Sequence, residues 1–248
     1  MFSARKIAVV VPIGTYDDSY RYLLEDLEAA SFRGEVILVF SKKALLEPSK
    51  ALKDLYSRET SLAIRVVLQS GSRAEKMNAG SLYAKQPFLW FLHADTRLSP
   101  RAVTALCEQL ETYPERLHYF ALRFKEEGLK FMRINEFGVM LRSRFLGMPF
   151  GDQGFCLSKE GFSRASCYPL GAPYGEDHLF VWRWRQLGHK IHPVPCAIFT
   201  SPRKYRDGGW GKTTLDHLYK TYVQAAPEAL TLGRRKLRRS LWKLSKSP

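Results

Sequence analysis

The chain has 248 residues, of which 45% are hydrophobic and 25% charged, the composition of a globular protein with a sizeable core, and bulk disorder is excluded. Its formal charge of +15, from 39 Lys and Arg against 24 Asp and Glu, favours phosphorylated substrates, anionic lipid or nucleic acid without choosing among them. Cys107, Cys156, Cys167 and Cys196 are too sparse for a disulfide framework or a zinc site, no apolar run has the length of a membrane span, and the N-terminus has no signal-peptide pattern.

Residues 6–11, Lys-Ile-Ala-Val-Val-Val, are a β-branched run closed by Pro12 and predict a buried first strand. After a loop over 14–18, Tyr20, Leu23, Leu24 and Leu27 recur at helical spacing before Gly34. Residues 35–40 read as a second strand, Leu52, Leu55 and Tyr56 suggest a helix, and residues 63–68 read as a third strand. Residues 88–92 are five apolar residues in succession, which suits a fourth strand buried on both faces. The run stops at His93-Ala94-Asp95-Thr96, beyond which Ser99 reads as an N-cap and Pro100 as the first residue of a helix to Tyr113.

This alternation predicts an α/β fold: a mostly parallel sheet flanked by helices. Right-handed crossovers gather the strand ends on one edge, where open α/β sheets bind ligands. Residues 14–18, 41–43, 70–76 and 93–96 belong to that edge. Asp95 there is either a hard oxygen ligand for Mg2+ or Mn2+ bridged to a diphosphate, or a turn residue. In the stretch 69–80, Gly71 and Ser72 lead into a helix with Arg73 and Lys76 in its first turn. Helix starts favour acids, so cations there suggest an anion in front of them.

Residues 117–124 read as a strand. Residues 129–145 read as a helix with Ile134, Phe137, Leu141 and Phe145 on a stripe facing the core. Gly151-Asp152-Gln153-Gly154 is a turn, plain or acceptor-binding, before a short strand. Glu176-Asp177 opens a helix carrying Leu179, Phe180, Trp182 and Trp184 and ending at Gly188; acids at that point also suit simple capping. Residues 191–201 supply a last strand bent at Pro193 and Pro195. The basic, glycine-rich stretch 201–210 is either a solvated loop or one that closes over phosphates. A helix over 210–226 follows. The tail 234–246 alternates cations with Leu237, Leu241, Trp242 and Leu244, which fits an interfacial helix on anionic lipid or a plain basic tail.

In this order the motifs resemble a family 2 glycosyltransferase of the GT-A fold. They are Val-Val-Pro, Gly-Ser-Arg-Ala-Glu-Lys-Met-Asn-Ala-Gly, Phe-Leu-His-Ala-Asp-Thr, Gly-Asp-Gln-Gly, Glu-Asp opening a helix, and Ser-Pro-Arg-Lys-Tyr-Arg. The nearest likeness is to the bacterial radical-SAM/selenodomain-associated transferases, over residues 6–226. The resemblance implies a transferase domain over 1–226 and a basic amphipathic tail over 227–248. It implies a nucleotide-sugar donor, UDP-linked, an acceptor hydroxyl, inversion, and a divalent metal, Mg2+ or Mn2+. Asp95 would hold the metal, with His93 where many members carry Asp. Asp177 would be the catalytic base, with Glu176 beside it. Pro12, Gly14, Arg73, Lys76, Asn78, His93, Asp95, Arg203 and Arg206 would form the donor site, and Gly151, Asp152 and Gln153 would border the acceptor. A cytoplasmic protein, with or without peripheral contact to the inner face of the membrane, is the implied setting. A nucleotide- or sugar-binding protein of the same fold with little transfer activity is the other reading. No nucleic-acid-binding module is recognisable.

Overall fold

The computed structural model describes residues 2–14, 17–42, 59–124, 132–201 and 210–244. The helix expected around Leu52, Leu55 and Tyr56 lies outside them, as do Arg203 and Arg206. The strands are β1 (Ile7–Pro12), β2 (Glu35–Phe40), β3 (Ala63–Leu68), β4 (Phe88–Phe91), β5 (Arg97–Leu98), β6 (Leu117–Phe124), β7 (Phe155–Ser158) and β8 (Ile191–Thr200). The α-helices are α1 (Tyr20–Ala29), α2 (Arg73–Tyr83), α3 (Ala102–Thr112), α4 (Met132–Arg144), α5 (Lys159–Arg164), α6 (Glu176–Gln186) and α7 (Trp210–Leu244).

One sheet runs in the order β3-β2-β1-β4-β7-β6-β8-β5. Every residue of β1 and β2 is buried, as expected where helices cover both faces of parallel strands. Alternate residues serve opposite faces. Val9, Val11, Val36, Leu38 and Trp90 share one core with Leu23, Leu24 and Leu27 of α1 and Val103, Leu106 and Leu110 of α3. Val10, Ile37, Val39, Leu89 and Phe91 share the other with Met77 of α2 and Phe180, Val181 and Trp184 of α6. Gly80 permits the close seat of α2, because a Cβ there would lie 2.4 Å from Val10 Cγ1.

The pairing directions position the site. β3, β2, β1 and β4 are mutually parallel, so their carboxyl ends lie together. β7 is antiparallel to β4, with Phe155 opposite Phe91. The start of β7, and with it the turn at Gly151–Gln153, therefore sits at the carboxyl end of β4. Antiparallel insertion makes the sheet mixed in its second half, which strand patterning alone does not reveal.

Three expectations change. The helix expected from Ser99 begins later, at Ala102, with Arg101 as N-cap and no side-chain cap. The Ser99 hydroxyl instead pairs with Cys196 Sγ at 3.1 Å. Between β4 and α3 the chain makes β5, pinned where Arg97 donates to both oxygens of Asp26 at 2.6 and 2.7 Å. The stripe of Ile134, Phe137, Leu141 and Phe145 is not core: all four residues are exposed. The opposite face of α4 buries Met132 and packs Val139 against the core, and adds polar contacts, with Tyr119 donating to the Ser143 carbonyl and Ser143 Oγ to Gln153 Oε1. Finally, the helix expected over 210–226 is longer: α7 continues through Pro227 to Leu244. The bend expected in the last strand is present as a register shift, in which Phe120 pairs with Val194 but Ala121 with Ala197.

Candidate active site

Helix α2 starts at the carboxyl end of β3. Ser72 caps it, accepting from Glu75 N at 3.2 Å, while Glu75 accepts from Ser72 N at 2.6 Å. This reciprocal box satisfies the Glu75 amide of the first turn and the Ser72 amide before it. Arg73, the first helical residue, projects across the sheet edge. Its guanidinium donates to Glu176 Oε1 at 2.6 Å and to His93 Nε2 at 3.1 Å, and lies 3.7 Å from Asp177 Oδ2. The anion expected in front of Arg73 is thus supplied by the chain, as the two carboxylates that open α6. His93 and Asp177, far apart in sequence, are joined through Arg73, and Asp95 follows His93 by two residues.

Asp177 is 6% exposed. Each of its oxygens accepts a backbone amide: Oδ2 from Gly151 at 2.5 Å and Oδ1 from His178 at 2.9 Å. Burial alone would raise its pKa, but the Arg73 charge, the Gly151 amide, His93 and the His178 amide together bring it below the ordinary carboxylate value. The group is therefore a carboxylate throughout the neutral range. Burial likewise opposes the charge on Arg73, yet Asp177, Glu176 and Asp152 outweigh it and push its pKa further up. Gly151 has no side chain for a local reason: a Cβ there would lie 2.7 Å from Asp177 Oδ2.

The other predicted residues divide. Asp95 is half-buried, and Thr200 Oγ1 donates to its Oδ2 at 3.4 Å. Asp152 lies close enough to act on Arg73. Pro12 is buried at the end of β1, and Gly14 is exposed just beyond it. Lys76 turns inward, its Nζ donating to the Ile13 carbonyl at 2.6 Å, so it ties α2 to the end of β1. Asn78 clasps Tyr168, donating to its carbonyl at 2.9 Å and accepting its amide at 3.0 Å. Gln153 is buried and spends its amide on the Phe120 carbonyl, Ser143 Oγ and Phe150 N. These three hold the site's walls together.

Sequence reasoning missed the support behind Asp177. Trp182 Nε1 donates to His178 Nε2 at 2.8 Å, so Nδ1 carries the proton toward Gln224 Oε1 at 3.3 Å. Gln224 Nε2 in turn donates to the Tyr174 carbonyl at 2.7 Å. Burial lowers the His178 pKa and keeps the ring neutral. The Trp-His spacing of four along one helix was the one available signal; Gln224 had none. Gly175 leaves room for this contact, since its φ is +64° and a Cβ would lie 2.3 Å from Gln224 Oε1.

Among the described residues no three His, Cys, Asp or Glu side chains gather as a metal cage. The His93 Nε2 faces a guanidinium, a position that disfavours a second cation. Asp95 remains as a single hard ligand. That fits Mg2+ or Mn2+ only in the mode where a diphosphate and water complete the shell.

No protein-family model matches the chain, and no curated protein sequence matches it either. Its fold does match solved structures. The mannosyltransferase PcManGT from Pyrobaculum calidifontis, in complex with GDP-Man and Mn2+, aligns over 100% of this chain and 79% of its own, with a TM-score of 0.68 at 14% identity. S. aureus TarS 1–349 aligns over 81% of this chain with a TM-score of 0.60 at 16% identity, and this chain covers 62% of it. GalNAc-T7 with UDP, GalNAc and Mn2+ aligns over 79% of this chain and 43% of its own, with a TM-score of 0.56 at 14% identity. At such identities the likeness is one of fold, and the fold is GT-A.

Proposed function

We propose that the protein is an inverting glycosyltransferase that moves a hexosyl group from a nucleotide-sugar, UDP-linked, to an acceptor hydroxyl. The observation that carries the reading is the Arg73 bridge. It joins the carboxyl end of β4, where a metal-diphosphate ligand is expected at Asp95, to the carboxylates opening α6. Complexes of fold neighbours with UDP-GlcNAc and with GDP-Man support a nucleotide-sugar donor. Membership of family 2, near the radical-SAM/selenodomain-associated group, and a cytoplasmic setting belong to the same reading.

Asp177 is the base. Its lowered pKa keeps it ionised and makes it a weak proton acceptor in the ground state. Transfer occurs as the bond to the anomeric carbon forms, when the hydroxyl becomes acidic. The two amides and Arg73 fix the carboxylate, so little reorganisation accompanies that step. Glu176 holds Arg73 from the other side. Gly151 and Asp152 border the acceptor. Asp95 would hold the metal, which when bound neutralises the departing diphosphate. Arg203 and Arg206 would add cations to the phosphates.

Calorimetric titration with UDP-sugars, with and without Mn2+, followed by a product assay over an acceptor panel, tests this. Mn2+-enhanced donor binding with turnover is the expected result. Binding without turnover across the panel would favour a nucleotide-sugar-binding protein. The full occupation of both Asp177 oxygens by amides is the feature that speaks for that second reading.

A further inference from the structure

Two helices of this protein are turned inside out. A surface helix ordinarily buries its apolar stripe and shows water its polar face. On α4 the inward side carries only Met132 and Val139 as apolar contacts, beside Asn135 and Ser143, both buried, and Arg142, which stacks 3.4 Å over the Phe150 ring. The outward stripe is Ile134, Phe137, Leu141 and, just past the helix, Phe145 and Leu146, each between 45% and 70% exposed. α7 repeats the pattern. Its inner side bonds through Gln224 and Glu228 to α6 and the preceding loop. Leu215, Leu218, Tyr219, Tyr222 and Leu230, which share the opposite side at helical spacing, are 61–73% exposed. The segment after α4 reaches α7 through one residue, Met148, which packs with Leu232 of α7 and Trp182 of α6.

Exposed apolar stripes of this kind are uncommon on a free-standing chain and mark contact with an apolar phase or partner. Its charge selects the occupant. Arg133 and Arg144 are exposed on α4, as are Arg234, Arg235 and Arg238 on α7. From 229 to 244 the sequence has six cations, Arg234, Arg235, Lys236, Arg238, Arg239 and Lys243, and no acid. A second copy would bring another +15 against the same surface, which opposes self-association. Nucleic acid would satisfy the cations but offers no hydrocarbon phase to Phe137 or Leu141. An anionic lipid surface satisfies both, with acyl chains for the stripe and headgroups for the arginines. No helix among the described residues is long and apolar enough to cross a membrane, so the contact lies on the bilayer.

We infer that the outward faces of α4 and α7 form one surface by which the protein seats on an anionic membrane. The inference does not depend on the transferase reading, since it concerns binding alone. It differs from attachment by a basic tail, because it assigns a share of the binding to the uncharged stripe of α4.

Flotation of the full chain with lipid vesicles tests it. Two compositions are needed: phosphatidylcholine alone, and phosphatidylcholine with about one third phosphatidylglycerol. The parent is expected to float with the anionic vesicles, less so at high salt, and weakly with the neutral ones. A Phe137→Gln/Leu141→Gln variant keeps the net charge and removes only exposed apolar groups, so it is expected to fold like the parent by circular dichroism. Its partition onto anionic vesicles should fall at least tenfold. An Arg234→Gln/Arg235→Gln variant should lose part of the salt-dependent component. Equal flotation of parent and the α4 variant would overturn the proposal, leaving the tail cations as the whole attraction. Failure of the parent to float, with dimers by sedimentation or capture by a protein partner abolished in the α4 variant, would overturn it equally.

Discussion

Replacing Asp177 with Asn looks conservative, and the structure argues that it is not. Both carboxylate oxygens accept a backbone amide, from Gly151 at 2.5 Å and from His178 at 2.9 Å. An asparagine side chain has one acceptor oxygen, so either rotamer points its NH2 group at an N–H. The lost bond is charge-assisted, worth about 1.5–3 kcal/mol. Loss of one carboxylate beside Arg73 adds about 1 kcal/mol, discounted because that side chain is 37% exposed. The sum is roughly 2–4 kcal/mol, which for a chain of this size lowers Tm by roughly 5–15 °C. Asp177→Asn should therefore lose both stability and transfer, the latter by roughly a hundredfold or more if the carboxylate is the base. Thermal unfolding of both proteins, and turnover measured well below both midpoints, separate the two effects. A midpoint equal to the parent's would refute the account of the two amides. Near-normal turnover in folded variant would remove Asp177 from the role of base.

Other expectations follow from the same geometry. Gly151→Ala puts a Cβ 2.7 Å from Asp177 Oδ2; displacing the carboxylate should cost roughly a hundredfold in kcat, while unchanged kcat would show that its position is immaterial. Gly175→Ala should displace the Gln224 amide from His178 and the Tyr174 carbonyl, because its Cβ meets Gln224 Oε1 at 2.3 Å; faster amide exchange around Gln224 is the readout. Burial chiefly pushes His118 from 6.5 down to about 4. The unfolded chain takes up a proton as pH falls through 6.5 and the native protein only near 4, so stability falls across that window and levels off below it. The drop is at most about 3 kcal/mol, and urea unfolding at several pH values should find it, with a flatter profile in His118→Gln. Asp177, by contrast, has a lowered pKa, so its contribution is lost only below the ordinary carboxylate range.

The sequence by itself determined the parallel half of the sheet. Unbroken apolar runs at residues 7–11 and 36–40 have no polar residue to face water, so only coverage on both sides accommodates them. It also marked the edge to which His93 and Asp95 belong, because a buried strand that ends in polar residues hands them to the surface. Tertiary structure alone decided what those groups do to one another. That Arg73 meets two carboxylates, that Lys76 bonds a carbonyl, and that Gln153 bonds Phe120 of β6 are matters of partners 33 to 104 positions away, which spacing along the chain does not encode. The outward stripe of α4 makes the same point from the other side. Periodicity reports that a helix has an apolar face, but which way that face turns depends on whether the neighbouring surface, here Tyr119, Gln153 and Phe150, offers hydrocarbon or hydrogen bonds.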